Sequence, residues 1–225
     1  FLGLLSVSVY CGVKAFSNRS SEKCIQIYYD RQDDVNDLAK ALKVYPDYHL
    51  HIEKIADYQT GNFSRCQASL VVSTTSEIKI PKALLDDFLN SEKNISWVGM
   101  NIWQLGDQLE KTMGLRYVGQ NFKRTSLKDL FYRGRVLRDG KTSVAQSQDD
   151  FLPVSREKVE VLIEARYVGN RELTPYLVRS KNMYYLADVN FGPAFQEFLA
   201  DMIGVPPTAG VQVLTYLMTG RGLVP

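Results

Sequence analysis

Read for the spacing of apolar and polar positions, the first half of the chain alternates short apolar runs with amphipathic stretches. Residues 24–30 (CIQIYYD) have the β-rich character of a central strand and end in a polar Asp30-Arg31-Gln32 loop. Val35, Leu38, Ala39 and Leu42 then recur at helical spacing behind Asp33, a candidate N-cap, and Tyr45-Pro46-Asp47 breaks the pattern. A second strand is expected over residues 48–55, with His49 and His51 on one face, and a third over 68–75, closing in a hydroxyl-rich loop. Pro81 suits the first turn of a helix whose apolar face holds Leu84, Leu85, Phe88 and Leu89. Residues 95–98 predict a fourth strand that turns through Gly99-Met100-Asn101 into a helix carrying Ile102, Leu105, Leu109 and Met113.

Single helices between successive strands imply right-handed crossovers and a mainly parallel sheet. The fold class expected is therefore α/β, a flavodoxin-like three-layer sandwich, followed by a β-rich C-terminal extension. In that extension residues 115–118, 130–137 and 159–167 read as extended, with Val161, Ile163, Ala165 and Tyr167 alternating against Glu160, Leu162, Glu164 and Arg166. Residues 176–179 and 183–188, separated by Ser180-Lys181-Asn182, give a hairpin signal, and the polar stretch 140–150 predicts a loop. Pro193 opens a last amphipathic helix with Phe195, Phe198, Leu199 and Met202, ended by Gly204 and Pro206-Pro207. The boundaries expected are a leader or weak membrane anchor plus linker at 1–23, the α/β domain at 24–204, and a tail at 205–225. Within the tail, 211–218 reads as a strand and as the start of a further domain.

The apolar run 1–13 is shorter than the roughly 20 residues that a spanning helix needs, and has the length of a signal-peptide core. Export is the expectation, with any membrane contact made only through this leader. Composition adds little: 45% hydrophobic and 23% charged residues are ordinary for a globular domain. A balance of 27 Lys+Arg against 25 Asp+Glu gives a net charge of +2, which makes no electrostatic case for nucleic acid. Cys11, Cys24 and Cys66 stand at unrelated spacings, so they suggest neither a disulfide framework nor a zinc site. If Cys11 belongs to the leader, Cys24 and Cys66 remain as a pair able to form one bridge in an oxidising compartment, a point that spacing leaves open.

Candidate chemistry concentrates at the elbow after the fourth strand, residues 96–105. In α/β hydrolases such an elbow holds a strained nucleophile, but here the residues are Gly99, Met100 and Asn101. Asn101 is read as capping the following helix, with Trp97 and Trp103 packing. Asp30 and Asp188 lie at strand ends where an acid or base would sit. The only histidines, His49 and His51, share a strand face able to hold a metal but have no Asp-x-Asp or His-x-x-x-His partner nearby, and Cys66 is read as a packed thiol. The loop after the first strand lacks the glycines of a phosphate loop, so neither a nucleotide cofactor nor any other is expected. The sequons at Asn18, Asn62 and Asn94 are read as chance matches.

Several phrases together carry a resemblance: Ile27-Tyr-Tyr-Asp30, Ile55-Ala-Asp-Tyr58, Val71-Val-Ser-Thr-Thr75, Ile80-Pro-Lys-Ala-Leu-Leu-Asp-Asp87, Val98-Gly-Met-Asn-Ile-Trp-Gln-Leu105, Leu130-Phe-Tyr-Arg-Gly-Arg135 and the segment 175–189. They resemble the amino-terminal, class I amidotransferase-like domain of bacterial polysaccharide-deacetylase-related proteins of uncharacterised type. The resemblance implies a domain that precedes a metal-dependent deacetylase barrel, whose acidic and histidine ligands are not found after Pro207. It thus implies an exported, bacterial, non-catalytic accessory domain, with a polysaccharide or an adjoining deacetylase-like domain as partner. The ligand-binding residues expected are Asp30, Arg31, Thr74, Thr75, Asn101 and Trp103. The alternative is a diverged or truncated carbohydrate deacetylase or amidotransferase-like hydrolase using His49 and His51 with a metal.

Overall fold

The computed structural model describes residues 23–121, 127–137, 148–169, 171–189, 191 and 193–205. The expected leader and the expected tail strand at 211–218 lie outside the described residues. The chain runs β1 (Cys24–Tyr29), α1 (Gln32–Ala41), β2 (His49–Lys54), β3 (Ala68–Ser73), α2 (Lys82–Asn90) and β4 (Asn94–Gly99). It continues with β5 (Leu115–Asn121), β6 (Leu127–Tyr132), β7 (Arg135–Leu137), β8 (Gln148–Pro153), β9 (Glu160–Tyr167), β10 (Thr174–Ser180), β11 (Met183–Leu186) and α3 (Pro193–Ile203).

Nine strands form one sheet in the order β2-β1-β3-β4-β11-β10-β9-β6-β7, while β5 and β8 pair separately. From β2 to β11 every neighbouring pair is parallel, and from β11 to β7 every pair is antiparallel. The parallel part is the βα-repeated first half of the sequence plus one late strand. That late strand, β11, is the second arm of the β10–β11 hairpin, turned at Lys181-Asn182 with Lys181 at φ 55°. Its apolar Met-Tyr-Tyr-Leu lets it lie beside β4 with both faces buried, as an interior strand requires.

Alternation along the strands sorts side chains into two cores, one on each face of the sheet. Ile25, Ile27, Leu70, Val72 and Val98 face the side covered by α1 and α3, through Val35, Leu38, Phe195, Phe198, Leu199 and Met202. Tyr28, Val71, Ile95, Trp97 and Tyr185 face the other side, covered by Leu84 and Phe88 of α2 and by Ile102, Leu109 and Met113. Strand β2, by contrast, is an edge whose side chains are mostly exposed.

Several local expectations are corrected. Helix α1 begins at Gln32, so Asp33 sits in its first turn rather than capping it. The helix expected after β4 is instead a 3-10 turn over Ile102–Leu105 and a π-helical turn over Leu109–Met113. Gly106, at φ 56° and ψ −140°, breaks the regular spiral between them, although the apolar residues still face the core as their spacing requires. Part of the expected loop 140–150 is strand β8; residues 138–147 lie outside the described residues. Cys66 is bonded to Cys24, Cα to Cα 4.9 Å, rather than being a free packed thiol. Of the sequons, Asn62 is buried and Asn94 is partly buried beside Gly204, while Asn18 lies outside the described residues.

Cross-linking positions 42 residues apart in sequence removes unfolded-chain freedom worth about 4 kcal/mol on the loop-entropy model. Reduction, or paired Cys24→Ser and Cys66→Ser changes, should therefore lower the unfolding free energy measured by denaturant titration by about 2–4 kcal/mol, the usual range for such a bridge. A second expectation concerns alkali. Burial pushes Tyr28 up to about 12, and burial with the hydrogen bond it donates to Asp201 pushes Tyr132 up to about 12. Tyr45 and Tyr58 are also raised, by burial first and, for Tyr58, by its bond to Asp87. A tyrosine held neutral in the folded state stabilises fully below its unfolded value near 10, and that contribution is lost as pH climbs to the folded value. Stability should thus fall between about pH 10 and pH 12, by about 1.4 kcal/mol per pH unit for each such tyrosine. Titration followed by tyrosinate absorbance and circular dichroism should show the buried ionisations appearing with unfolding; ionisation of all tyrosines while the fold stays intact would contradict it.

Candidate functional site

The carboxyl ends of β1, β3, β4 and β11 lie side by side, because the four strands are parallel neighbours. Between β1 and β3 the chain's direction of winding reverses, with β2 on one side and β3 on the other. Such a switch point opens a crevice at the strand ends, the usual ligand position in folds of this kind. Asp30, Thr74, Thr75, Asn101 and Asp188 all fall at this edge, as expected from their places at the ends of apolar runs.

Asp30 fills the switch point with its own carboxylate. The main-chain N–H groups of Thr74 and Thr75 donate to Asp30 Oδ2 at 2.8 and 2.7 Å. Thr74 Oγ1 lies 3.0 Å from Asp30 Oδ1 and 2.6 Å from Asp34 Oδ2, and its single proton serves the shorter contact. Paired backbone N–H groups at a strand exit are a natural anion cradle. Here the anion is built into the chain. Arg31 stays at the rim, half exposed, with Nε 4.0 Å from Asp34.

The elbow after β4 is tied to the end of β3. Met100 N–H donates to the Ser73 carbonyl at 2.6 Å, and Trp97 Nε1 donates to the Met100 carbonyl at 2.7 Å. Gly99 takes φ 88°, and a Cβ there would lie 2.3 Å from the Ser73 oxygen. Asn101 follows in the left-handed region at φ 69°, fully buried. Its side chain makes no helix cap, contrary to expectation: Nδ2 donates to Ser73 Oγ and to the Thr75 carbonyl, both at 2.8 Å. The left-handed backbone turns the amide inward against β3 instead of along the following turn. Gln104 holds the neighbouring loop, accepting from Ile80 N–H at 3.1 Å and donating to the Ile78 carbonyl at 2.6 Å.

Asp188, at the end of β11, is buried and accepts from Val189 N–H at 2.8 Å. Trp103 sits at the rim, 36% exposed, with its ring centroid 6.4 Å from that of Tyr117. The structure thus joins Asp30, Thr74, Thr75 and Asn101 in one hydrogen-bonded floor, and leaves Arg31 and Trp103 more open. Sequence reading missed Ser73, Asp34 and Gln104; the Ser-Thr-Thr run at a strand end was the only signal for the first, and the other two carried none.

Away from this edge, a shallow cavity of about 230 Å³ is lined by Arg156, Lys158, Glu160, Arg179 and Lys181, at the opposite end of the sheet where β11 begins. His49 and His51 lie exposed on edge strand β2. Among the described residues, His51 rather than His49 comes together with other metal-binding side chains, those of Cys24 and Cys66.

No family model and no curated protein matches this chain by sequence. Solved structures do resemble it. A GMP synthase subunit from Thermoplasma acidophilum aligns over 84% of this chain and 96% of its own, with a TM-score of 0.54 and 8% identity. The carbohydrate deacetylase Agd3 aligns over 88% of this chain at a TM-score of 0.51 and 10% identity, this chain spanning 32% of its length. A ThuA-like protein from Bacteroides uniformis aligns over 93% of this chain and 94% of its own, with a TM-score of 0.49 and 16% identity. At these identities the first two likenesses define the fold alone: a mixed α/β protein of the flavodoxin-like kind.

The elbow network is read most directly by substitution. Asn101→Ala removes the donor shared by the buried Ser73 hydroxyl and the Thr75 carbonyl and places Ala in the left-handed region, a loss expected at about 2–4 kcal/mol. Gly99→Ala should cost at least about 2 kcal/mol through strain and the Ser73 clash. Chemical denaturation checks both; a change below about 1 kcal/mol in either would contradict the geometry, that limit being the typical cost of an arbitrary point change.

Proposed function

We propose that this chain is a non-catalytic binding domain associated with the processing of bacterial cell-surface polysaccharide, acting beside a deacetylase-type partner domain. The two cores on either face of the sheet are read as a flavodoxin-like three-layer sandwich whose carboxyl edge meets the ligand. The observation that carries the reading is the division of labour at that edge. The main-chain donors at the switch point are already engaged by Asp30, so the crevice does not offer them to a phosphate. What remains open is an aromatic and cationic rim, Trp103 beside Tyr117 with Arg31 half exposed.

An aromatic ring with an open face suits the apolar face of a sugar ring, and a guanidinium suits hydroxyls or a carboxylate on the same polymer. In this reading Asp30, Thr74, Thr75 and Asn101 form the floor that holds the rim in place, and Trp103 and Arg31 touch the glycan. Export fits the Cys24–Cys66 bridge, since disulfides persist in oxidising compartments.

Calorimetric titration against acetylated and deacetylated surface oligosaccharides tests the proposal. Saccharide binding should weaken by at least about tenfold in Trp103→Ala, as loss of an aromatic anchor does, while stability falls by less than for Asn101→Ala. Absence of binding to every saccharide, or binding indifferent to Trp103→Ala, would sink it; turnover of the saccharide would move the chain to the enzymes.

A further inference from the structure

Cys24, the first residue of β1, and Cys66, two residues before β3, are each only 1% exposed. His51 lies on β2 in register with Gln26, so β1 and β2 bring Cys24, Gln26 and His51 to one face of the sheet. The two sulfurs and a ring nitrogen of His51 all lie within 4.8 Å of one another. Gln26 is 2% exposed, its Oε1 is 4.0 Å from Cys66 Sγ, and its Nε2 is buried with no hydrogen-bond partner. With the amide turned over, Nε2 would face the Cys66 sulfur, a weak acceptor in a disulfide and a strong one as a thiolate.

We propose that, with the Cys24–Cys66 bond reduced, Cys24, Cys66 and His51 form a binding site for a thiophilic divalent cation such as zinc, with a fourth position open to solvent. Two thiolates and one imidazole are a donor set that suits zinc, and all three ligands are held on neighbouring strands or immediately before one. Rotation about the two Cα–Cβ bonds parts the sulfurs to suit zinc–sulfur bonds of about 2.3 Å. A half-turn of the Gln26 amide aims Nε2 at the Cys66 sulfur and supplies the outer-shell donor that metal thiolates ordinarily receive. His51 is exposed, which gives the ion its path of entry. The chemistry balances simply. A trialkylphosphine and one water cleave the S–S bond: phosphorus gives up two electrons and takes the oxygen, and the two sulfurs take the two electrons and the two protons of the water. The cation then displaces the two thiol protons to solvent.

The site involves none of the rim residues, so its test does not bear on glycan binding; it forms only where the bridge is reduced, whereas an oxidising compartment keeps the bridge closed. The test uses the full chain without an added histidine tag, oxidised and phosphine-reduced, titrated with cobalt(II) and then zinc. Reduced protein should take up one equivalent of cobalt with thiolate-to-metal charge-transfer absorption, which zinc abolishes. Zinc should raise the melting temperature of the reduced protein and leave that of the oxidised protein unchanged. His51→Ala keeps both sulfurs and should weaken cobalt affinity by at least about 10–100-fold, the loss seen even for outer-shell changes, whereas His49→Ala should not change it. If reduction unfolds the chain, recovery of its near-UV circular dichroism on adding zinc reports the same binding. No charge-transfer band in the reduced protein, no recovery by zinc after unfolding, or equal affinity in His51→Ala would each overturn the proposal.

Discussion

The arrangement of the carboxyl edge rests on one close approach. The Ser73 carbonyl at the end of β3 accepts the Met100 N–H at 2.6 Å, and the space beside it admits no side chain at Gly99. Strand β4 therefore leaves the sheet through a left-handed glycine, and Asn101, also left-handed, is turned down into the protein. Its amide then joins Ser73 to Thr75, and Gln104 joins the 78–80 loop to the same turn. An ordinary strand-to-helix connection would have directed Asn101 along the helix. The glycine makes the elbow part of the sheet's own hydrogen bonding.

That constraint shapes what the edge can do. A crevice at a switch point is useful to a ligand when its donors are free, and here Asp30 uses those of Thr74 and Thr75. Charge-assisted hydrogen bonds to backbone N–H groups are strong, so an incoming anion would have to displace an intramolecular carboxylate already held at close range. Under the proposed glycan reading, contact falls to side chains on the rim, where Trp103 is 36% exposed and Arg31 half exposed.

The opposite flank of the parallel half solves a different problem. Strand β2 is an exposed edge held by β1 alone, and edge strands are the easiest part of a sheet to lose. The bridge from Cys24 to Cys66 anchors the start of β1 and the approach to β3, and so encloses β2 within the closed loop. The same bridge gathers two sulfurs next to an imidazole, which makes one covalent restraint both a support for the edge and a latent set of metal ligands.

Much of this was legible in the residues. The β-rich run at 24–30 and the helical spacing of Val35, Leu38 and Leu42 determine element type and buried face, because side-chain direction repeats locally with period 3.6 or 2. In β9 the expected alternation holds for Ile163, Ala165 and Tyr167 but not for Val161, which is exposed, or Leu162, which is buried, where the pairing with β10 is irregular. The polar ends of those runs also marked Asp30, Thr74, Thr75 and Asn101 as edge residues. Local pattern does not choose partners across the chain, however. That β11 would lie parallel to β4, that Cys66 would meet Cys24, and that His51 rather than His49 would approach the sulfurs depend on register between distant segments. Nor does the identity of Asn101 tell which way its amide turns; the backbone set by Gly99 and the oxygen of Ser73 decides it. Sequence alone determined most of the strands and helices and most of their inward faces, through local sterics and hydrophobic period, but not the broken spiral after β4. Which polar groups are used up within the edge and which stay open to a partner was decided only by tertiary packing, because a hydrogen bond is satisfied or free according to what long-range folding brings within about 3 Å of it.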